Sequence, residues 1–240
     1  MIIRIVLVPA GAEYSAVKRG LRRVQNRPRV VAIPAGPSGL RDFLKTWQEQ
    51  SPTEDGGEDA GILLMGLGGS LCAHYGVGDS VVVSQVWNGF EDSQETFLQC
   101  DPKLSKFLAT QLEVEKGIGV TCDRVITQVE EKKKLCDRYN AQVVDMESFT
   151  LLQALRNYQS RHRVAILRII SDSCHHNLPD ISKAIGPDGS LNIMVILLNF
   201  SKQPVAALRL IQGSLKGLKA LETLAHRLFS EPISEPTASD

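Results

Sequence analysis

Surplus charge of either sign is missing from this chain: Lys plus Arg and Asp plus Glu each total 27 of its 240 residues. A surface built to hold a polyanion carries excess positive charge, so nucleic acid is not an expected partner. The one local cluster, Lys18, Arg19, Arg22 and Arg23, reads as the solvated face of a helix. Long apolar runs are missing too. None approaches the ~20 residues of a membrane span, and the longest, residues 193–198, fits the core side of a helix. Cys72, Cys100, Cys122, Cys136 and Cys174 include no CxxC pair and are odd in number, which argues against a disulfide framework. Cys174 and His175–His176 have no second ligand pair at finger-like spacing, so no metal is expected. The chain opens directly into a strand-like run rather than a leader pattern, and the expectation is a cytoplasmic protein with reduced thiols. The glycines of residues 66–69 lack the GK[ST] ending of a P-loop, and Leu71 stands where the last glycine of GxGxxG belongs. No internal repeat is visible.

What is present is alternation. Residues 2–8, 29–33, 61–65, 81–86, 118–121, 143–144 and 164–170 read as strands, several of them continuous apolar runs of the kind buried on both faces. Helical spacing falls between them, over residues 12–24, 40–50, 104–112, 129–139 and 148–158, and again over 191–200 and 205–229. Residues 34–39 and 66–70 read as glycine-rich turns, 51–59 as an acidic surface loop, and 88–101 and 171–180 as loops. Such order implies an α/β domain with a largely parallel sheet covered by helices. One domain over residues 1–229 with a disordered tail at 230–240 is expected.

Ligands on such sheets bind beyond the carboxyl ends of strands. Glu13, the Asp145-Met146-Glu147-Ser148 string and Ser171-Asp172 all fall there. Each has two readings. Glu13 is either a dipole-favoured acid of a first helical turn or a working carboxylate. Asp145 to Ser148 either cap a helix or project Glu147 into a cleft. Asp172 is either a turn residue or an acid whose partial burial lifts its pKa toward neutrality. Glycines 66, 68 and 69 mean close backbone approach to something.

The segments VVDMESF (143–149) and LRIISD (167–172), in this order, resemble the paired signature of the nucleoside phosphorylase and nucleosidase superfamily, which holds purine nucleoside phosphorylases and methylthioadenosine/S-adenosylhomocysteine nucleosidases. MGLGGSL (65–71), VGDSVVVSQ (77–85), GVTCDRVI (119–126) and LVPAGAE (7–13) fall into register with it, so the likeness spans roughly residues 2–230. It implies a three-layer αβα sandwich with a central mixed, mostly parallel sheet. It implies cleavage of the N-glycosidic bond of a purine-type nucleoside. Glu147 would bind the ribose hydroxyls, Met146 would pack on the sugar, and Asp172 would protonate the base at N7. Glu13 would activate water, Gly66, Gly68 and Gly69 would form the glycine-rich strand end, and Val125 and Ile126 would line the base pocket. No cofactor is implied beyond phosphate as co-substrate if the enzyme is a phosphorylase, and a homo-oligomer is expected.

Three departures shape the expectation. No arginine sits within residues 65–71, where the phosphorylase branch commonly holds phosphate, so water is favoured as nucleophile. Backbone N–H groups of residues 66–70 and 36–39, with Ser38 or Ser70, are the remaining candidates to hold phosphate. The short segment before residue 34 resembles the hopanoid-associated branch, assigned a phosphorylase-like role on an adenosyl-lipid intermediate. Val125 stands where a nucleosidase relative usually has an aromatic residue. Two other readings compete: a non-catalytic nucleoside- or nucleotide-binding protein on the same fold, and a dinucleotide-dependent oxidoreductase. The latter lacks the acidic residue its fingerprint requires at the end of a second strand.

Overall fold

β1 (Ile3–Pro9) is buried at every position except Arg4, and its alternate side chains part to opposite sides. Ile5 and Leu7 join one core cluster, Val6 and Val8 another. β3 (Gly61–Ser70) divides likewise, Ile62 and Leu64 to one side, Leu63 and Met65 to the other. A strand apolar on both faces must be covered on both faces, and that requirement produces three layers.

The structure, a computed structural model, describes residues 3–50, 61–90, 96–157, 162–179 and 204–230. The expected loop at 51–59 and helix at 191–200 lie outside them, as does the expected tail apart from Ser230, which ends the last helix. After β1 come α1 (Ala12–Gly20), β2 (Arg29–Ile33), α2 (Pro37–Gln50) and β3. β4 (Ser80–Asn88), β5 (Phe97–Gln99), α3 (Pro102–Leu112), β6 (Lys116–Thr121) and α4 (Val129–Tyr139) follow. β7 (Val143–Asp145), α5 (Ser148–Asn157), β8 (Arg163–Asp172) and α6 (Pro204–Ser230) complete the set. The cluster holding Val6 and Val8 also holds Val17 of α1, Leu104 and Leu108 of α3, and Leu221 and Ala225 of α6. The opposite cluster holds Leu40 and Leu44 of α2 and Phe149, Leu152 and Leu155 of α5. α1 and α6 pack closely because Gly20 has no side chain: a Cβ there would lie 2.3 Å from the Glu222 carbonyl oxygen.

The sheet is mixed and mostly parallel, as expected. β1 pairs in parallel with β2 and β3, β3 with β8, β4 with β6, and β6 with β7. β3–β7, β4–β5 and β4–β8 are antiparallel. The pairings β3–β8–β4–β6–β7–β3 close into a ring. Closure removes open edges from the centre of the sheet.

Two expectations need correction. Residues 66–70 are not a turn: β3 runs straight through them, paired with β8 up to Gly69–Asp172 and with β7 at Gly69 and Ser70. Its glycines serve lateral approach by neighbouring groups rather than chain reversal. The expected loop at 88–101 contains β5, a three-residue edge strand bonded to β4, too short to show a period.

Candidate active site

The extended β3 organises the site, because its glycines leave room for charged groups. A Cβ at Gly66 would lie 2.5 Å from Arg168 Nη1 and 2.6 Å from Glu13 Oε2. A Cβ at Gly68 would meet Val143 and the Val144 carbonyl, and one at Gly69 would lie 3.1 and 3.2 Å from the Asp172 oxygens. Real Cβ atoms do not tolerate approaches as short as those at Gly66.

Arg168, in the middle of apolar β8, is completely buried. Its Nε donates to Asp145 Oδ2 (2.9 Å). Its Nη2 donates to Glu147 Oε2 (3.1 Å) and Ser148 Oγ (3.2 Å). Burial works against its charge, and Asp145, Glu147 and Glu13 more than offset that, so its pKa is raised. Asp145 and Glu147, 8% and 5% exposed, are satisfied from other sides as well. Asp145 Oδ1 accepts from Thr121 Oγ1 (2.7 Å) and from the N–H groups of Glu147 (3.2 Å) and Ser148 (3.1 Å). Glu147 Oε1 accepts from Gly36 N–H (2.9 Å), and its carbonyl receives an early bond of α5 from Leu151 N–H (3.0 Å). The capping reading of this string is therefore realised, while Glu147 lies buried against Arg168 and Gly36 N–H. Asp145 ties down the helix start, and Glu147 is carried at the dipole-positive end.

Glu13, in the first turn of α1, reaches across to accept from Leu67 N–H (2.7 Å). Burial, then the Glu147 charge, push its pKa up to about 7, against the Leu67 N–H and Arg168. Glu147 is raised too, by burial and by Asp145, with Arg168 opposing. Glu13 and Glu147 thus both lie near one guanidinium, Glu147 bonded to it and Glu13 within its field.

Asp172 stands apart from that cluster. It adjoins Gly69, three residues beyond Gly66, about 10 Å along a strand. It opens on a cavity of about 310 Å³ that it shares with Ser171, His176, Arg209 and Lys216. Lys132 Nζ donates to its Oδ2 and Ser171 Oγ to its Oδ1 (3.1 Å). Burial raises its pKa, with Lys132 opposing. Met146 is half-buried, its Cε 3.5 Å from where a Gly36 Cβ would stand. Val125 is partly exposed, whereas Ile126 is buried in a cluster with Leu71, Tyr139 and Val144. The loop after β8 is held against this segment: Leu178 N–H donates to the Thr127 carbonyl and Val129 N–H to Asn177 Oδ1 (both 2.8 Å).

Three donors of the candidate phosphate cradle are already engaged by protein groups. Leu67 N–H serves Glu13 and Gly36 N–H serves Glu147. Ser70 Oγ lies within hydrogen-bond distance of the carbonyls of Cys72 (2.7 Å) and Tyr75 (3.0 Å) and has its one hydrogen to share between them. An arginine does lie beside the glycines, contrary to the local sequence, but it comes from β8 and is neutralised by carboxylates. Among the described residues, no group of three His, Cys, Asp or Glu is placed to hold a metal ion. No described helix is long and apolar enough to cross a membrane. Sequence reasoning missed Arg168 and Lys132. A lone arginine inside the run VAILRII was the available signal for the first; Lys132 sits among three consecutive lysines and offered none.

A family model described as the phosphorylase superfamily matches residues 57–188. No curated protein matches the chain. Among solved structures, the chain is similar to 5'-methylthioadenosine/S-adenosylhomocysteine nucleosidase from Helicobacter pylori, at 14% identity and TM-score 0.62 over 93% of this chain and 98% of that one. It is similar to futalosine hydrolase from H. pylori strain 26695, at 15% identity and TM-score 0.62 over 93% and 97%. The Campylobacter jejuni 5'-methylthioadenosine/S-adenosylhomocysteine nucleosidase matches at 16% identity and TM-score 0.58 over 92% and 99%. At these identities the likeness speaks for the fold.

Proposed function

The chain belongs to the phosphorylase superfamily, and from that membership we propose that it hydrolyses the N-glycosidic bond of a purine-type nucleoside. The observation that carries water as nucleophile is the state of the two acids at Arg168. Glu13 has a pKa near neutrality, the range in which a carboxylate works as a general base. Two of the backbone donors that would otherwise cradle phosphate, Leu67 and Gly36 N–H, are engaged by Glu13 and Glu147.

In this reading Glu147 accepts from the ribose hydroxyls and Met146 packs on the sugar. Glycosidic cleavage passes through an oxocarbenium-like state, which the carboxylates of this cluster stabilise electrostatically. Asp172 delivers a proton to the base, at N7 of a purine, and the electron pair of the broken C–N bond leaves with the base. Glu13 takes the proton of the attacking water. Val125 and the neighbouring loop border the base. Hydrolysis is also what the names of the nucleosidase and futalosine hydrolase structures say of those proteins.

The test is a panel of nucleosides, including methylthioadenosine, S-adenosylhomocysteine and futalosine, incubated with and without phosphate. Free base and free sugar should form at a phosphate-independent rate. A sugar 1-phosphate product, or release that requires phosphate, would refute water as nucleophile.

A further inference from the structure

Of the three consecutive lysines on α4, only Lys132 is buried, and it is completely enclosed, whereas Lys133 and Lys134 are exposed. Its Nζ donates to Asp172 Oδ2 and to the Ser173 carbonyl (2.9 Å). Asp172 is fixed from its other side by Ser171 Oγ and by the closeness of Gly69. Lys132 is the charged group that opposes the rise in the Asp172 pKa. Two thiols lie near Lys132. Cys174 follows Ser173, and Cys136 lies one turn along α4 from Lys132; burial raises both, with Cys72 adding to each. His176, Arg209 and Lys216 line the cavity on which Asp172 opens.

An enclosed lysine persists when its pair is neutral overall. Ammonium with carboxylate and amine with carboxylic acid satisfy that equally, and both contain the same proton. Asp172 therefore need not hold a proton at rest in order to give one. Resting on the reading of Asp172 as the group that protonates the departing base, we propose that Lys132 is a positioning residue that holds the proton Asp172 delivers. The Lys132 N–H bond breaks as an O–H bond forms on Asp172. That O–H bond breaks in turn as the N–H bond of the base forms. The base keeps the electron pair of the cleaved glycosidic bond. After product leaves, Asp172, which opens on the cavity, takes a proton from solvent and passes it back to the enclosed amine of Lys132.

The experiment compares wild type and Lys132→Met over pH, on a nucleoside and on 4-nitrophenyl riboside, whose leaving group departs without protonation. On the nucleoside, turnover at pH 8 should fall by about 10²-fold or more. The alkaline limb should move to lower pH by roughly a unit or more, because Asp172 alone must then keep its proton. On 4-nitrophenyl riboside the loss should be at least about tenfold smaller than on the nucleoside. A pH profile parallel to wild type, or an equal loss on both substrates, overturns the proposal. Should the methionine variant not fold, Lys132→Gln keeps donors toward Asp172 and Ser173 but cannot release a proton. The same loss is expected there, and wild-type turnover overturns the proposal. Asp172→Asn separates the two levels: if it cleaves nucleosides at the wild-type rate, the reading of Asp172 itself falls. If it is slow while Lys132→Gln is not, only the role of Lys132 falls.

Discussion

Replacing Glu13 by Gln should make the folded protein more stable at alkaline pH while disabling it. The glutamine keeps an oxygen to accept from Leu67 N–H, now 2.7 Å away, and removes the ionisable group. In the wild type the folded state lifts the Glu13 pKa from 4.5 to about 7, so between those values the native protein binds more protons than the unfolded chain. Stability from this group is therefore fully present below about pH 4.5 and is lost as pH rises through 7. At about 1.4 kcal/mol per unit, the loss amounts to roughly 3.5 kcal/mol at most, and less where solvent reaches the carboxylate. Urea unfolding at pH 5 and pH 8 reads it directly. The wild type should lose stability between the two, and Glu13→Gln should lose less, ending more stable than wild type at pH 8. Glu147 and Asp172, also raised by burial, leave a residual slope of the same sign. Turnover should fall by about 10²–10⁴-fold, the usual contribution of a positioned base. An unchanged pH slope in the variant would refute the electrostatic account of the cluster.

Three further outcomes follow from the same geometry. Arg168→Met strips the cation from two buried carboxylates and should cost about 3–5 kcal/mol at neutral pH, partly recovered in acid as those carboxylates take up protons; urea unfolding at pH 7 and pH 5 measures both. Gly66→Ala puts a Cβ against the Arg168 guanidinium and the Glu13 carboxylate and should destabilise by about 1–3 kcal/mol. Its nucleoside turnover should fall further than that of Gly76→Ala, whose Cβ would meet only Asp79 Oδ2, at an ordinary 3.6 Å. Asp172→Asn should lower nucleoside turnover by about 10²–10⁴-fold with an unchanged circular dichroism spectrum; a wild-type rate would contradict its assigned role.

The strands were legible where burial on both faces wrote continuous apolar runs, as in β1 and β8, and the long α6 was legible from its helical spacing. Closure of the sheet was not, because the β3–β7 and β4–β8 pairings join segments far apart in the chain, and no local pattern encodes them. The glycines of β3 read as a turn because turns and close lateral approach use the same residue, and only the position of Arg168 distinguishes them. Asp145 shows the converse. Its capping role and the presentation of Glu147 looked like rivals in one dimension, yet a single carboxylate serves the helix N–H groups on one side and Arg168 on the other. The acids at 13 and 147 were visible as strand-end residues. Their cationic partners were not, since Arg168 and Lys132 act from elements whose register only the fold defines.

The central claim is spatial, and a crystal structure with an unreactive C-nucleoside tests it. The sugar hydroxyls should lie on Glu147 with Glu13 beside the anomeric carbon, and the base edge should reach Asp172. A ligand bound elsewhere, or one that touches the Arg168 cluster while its base points away from Asp172, would contradict the account.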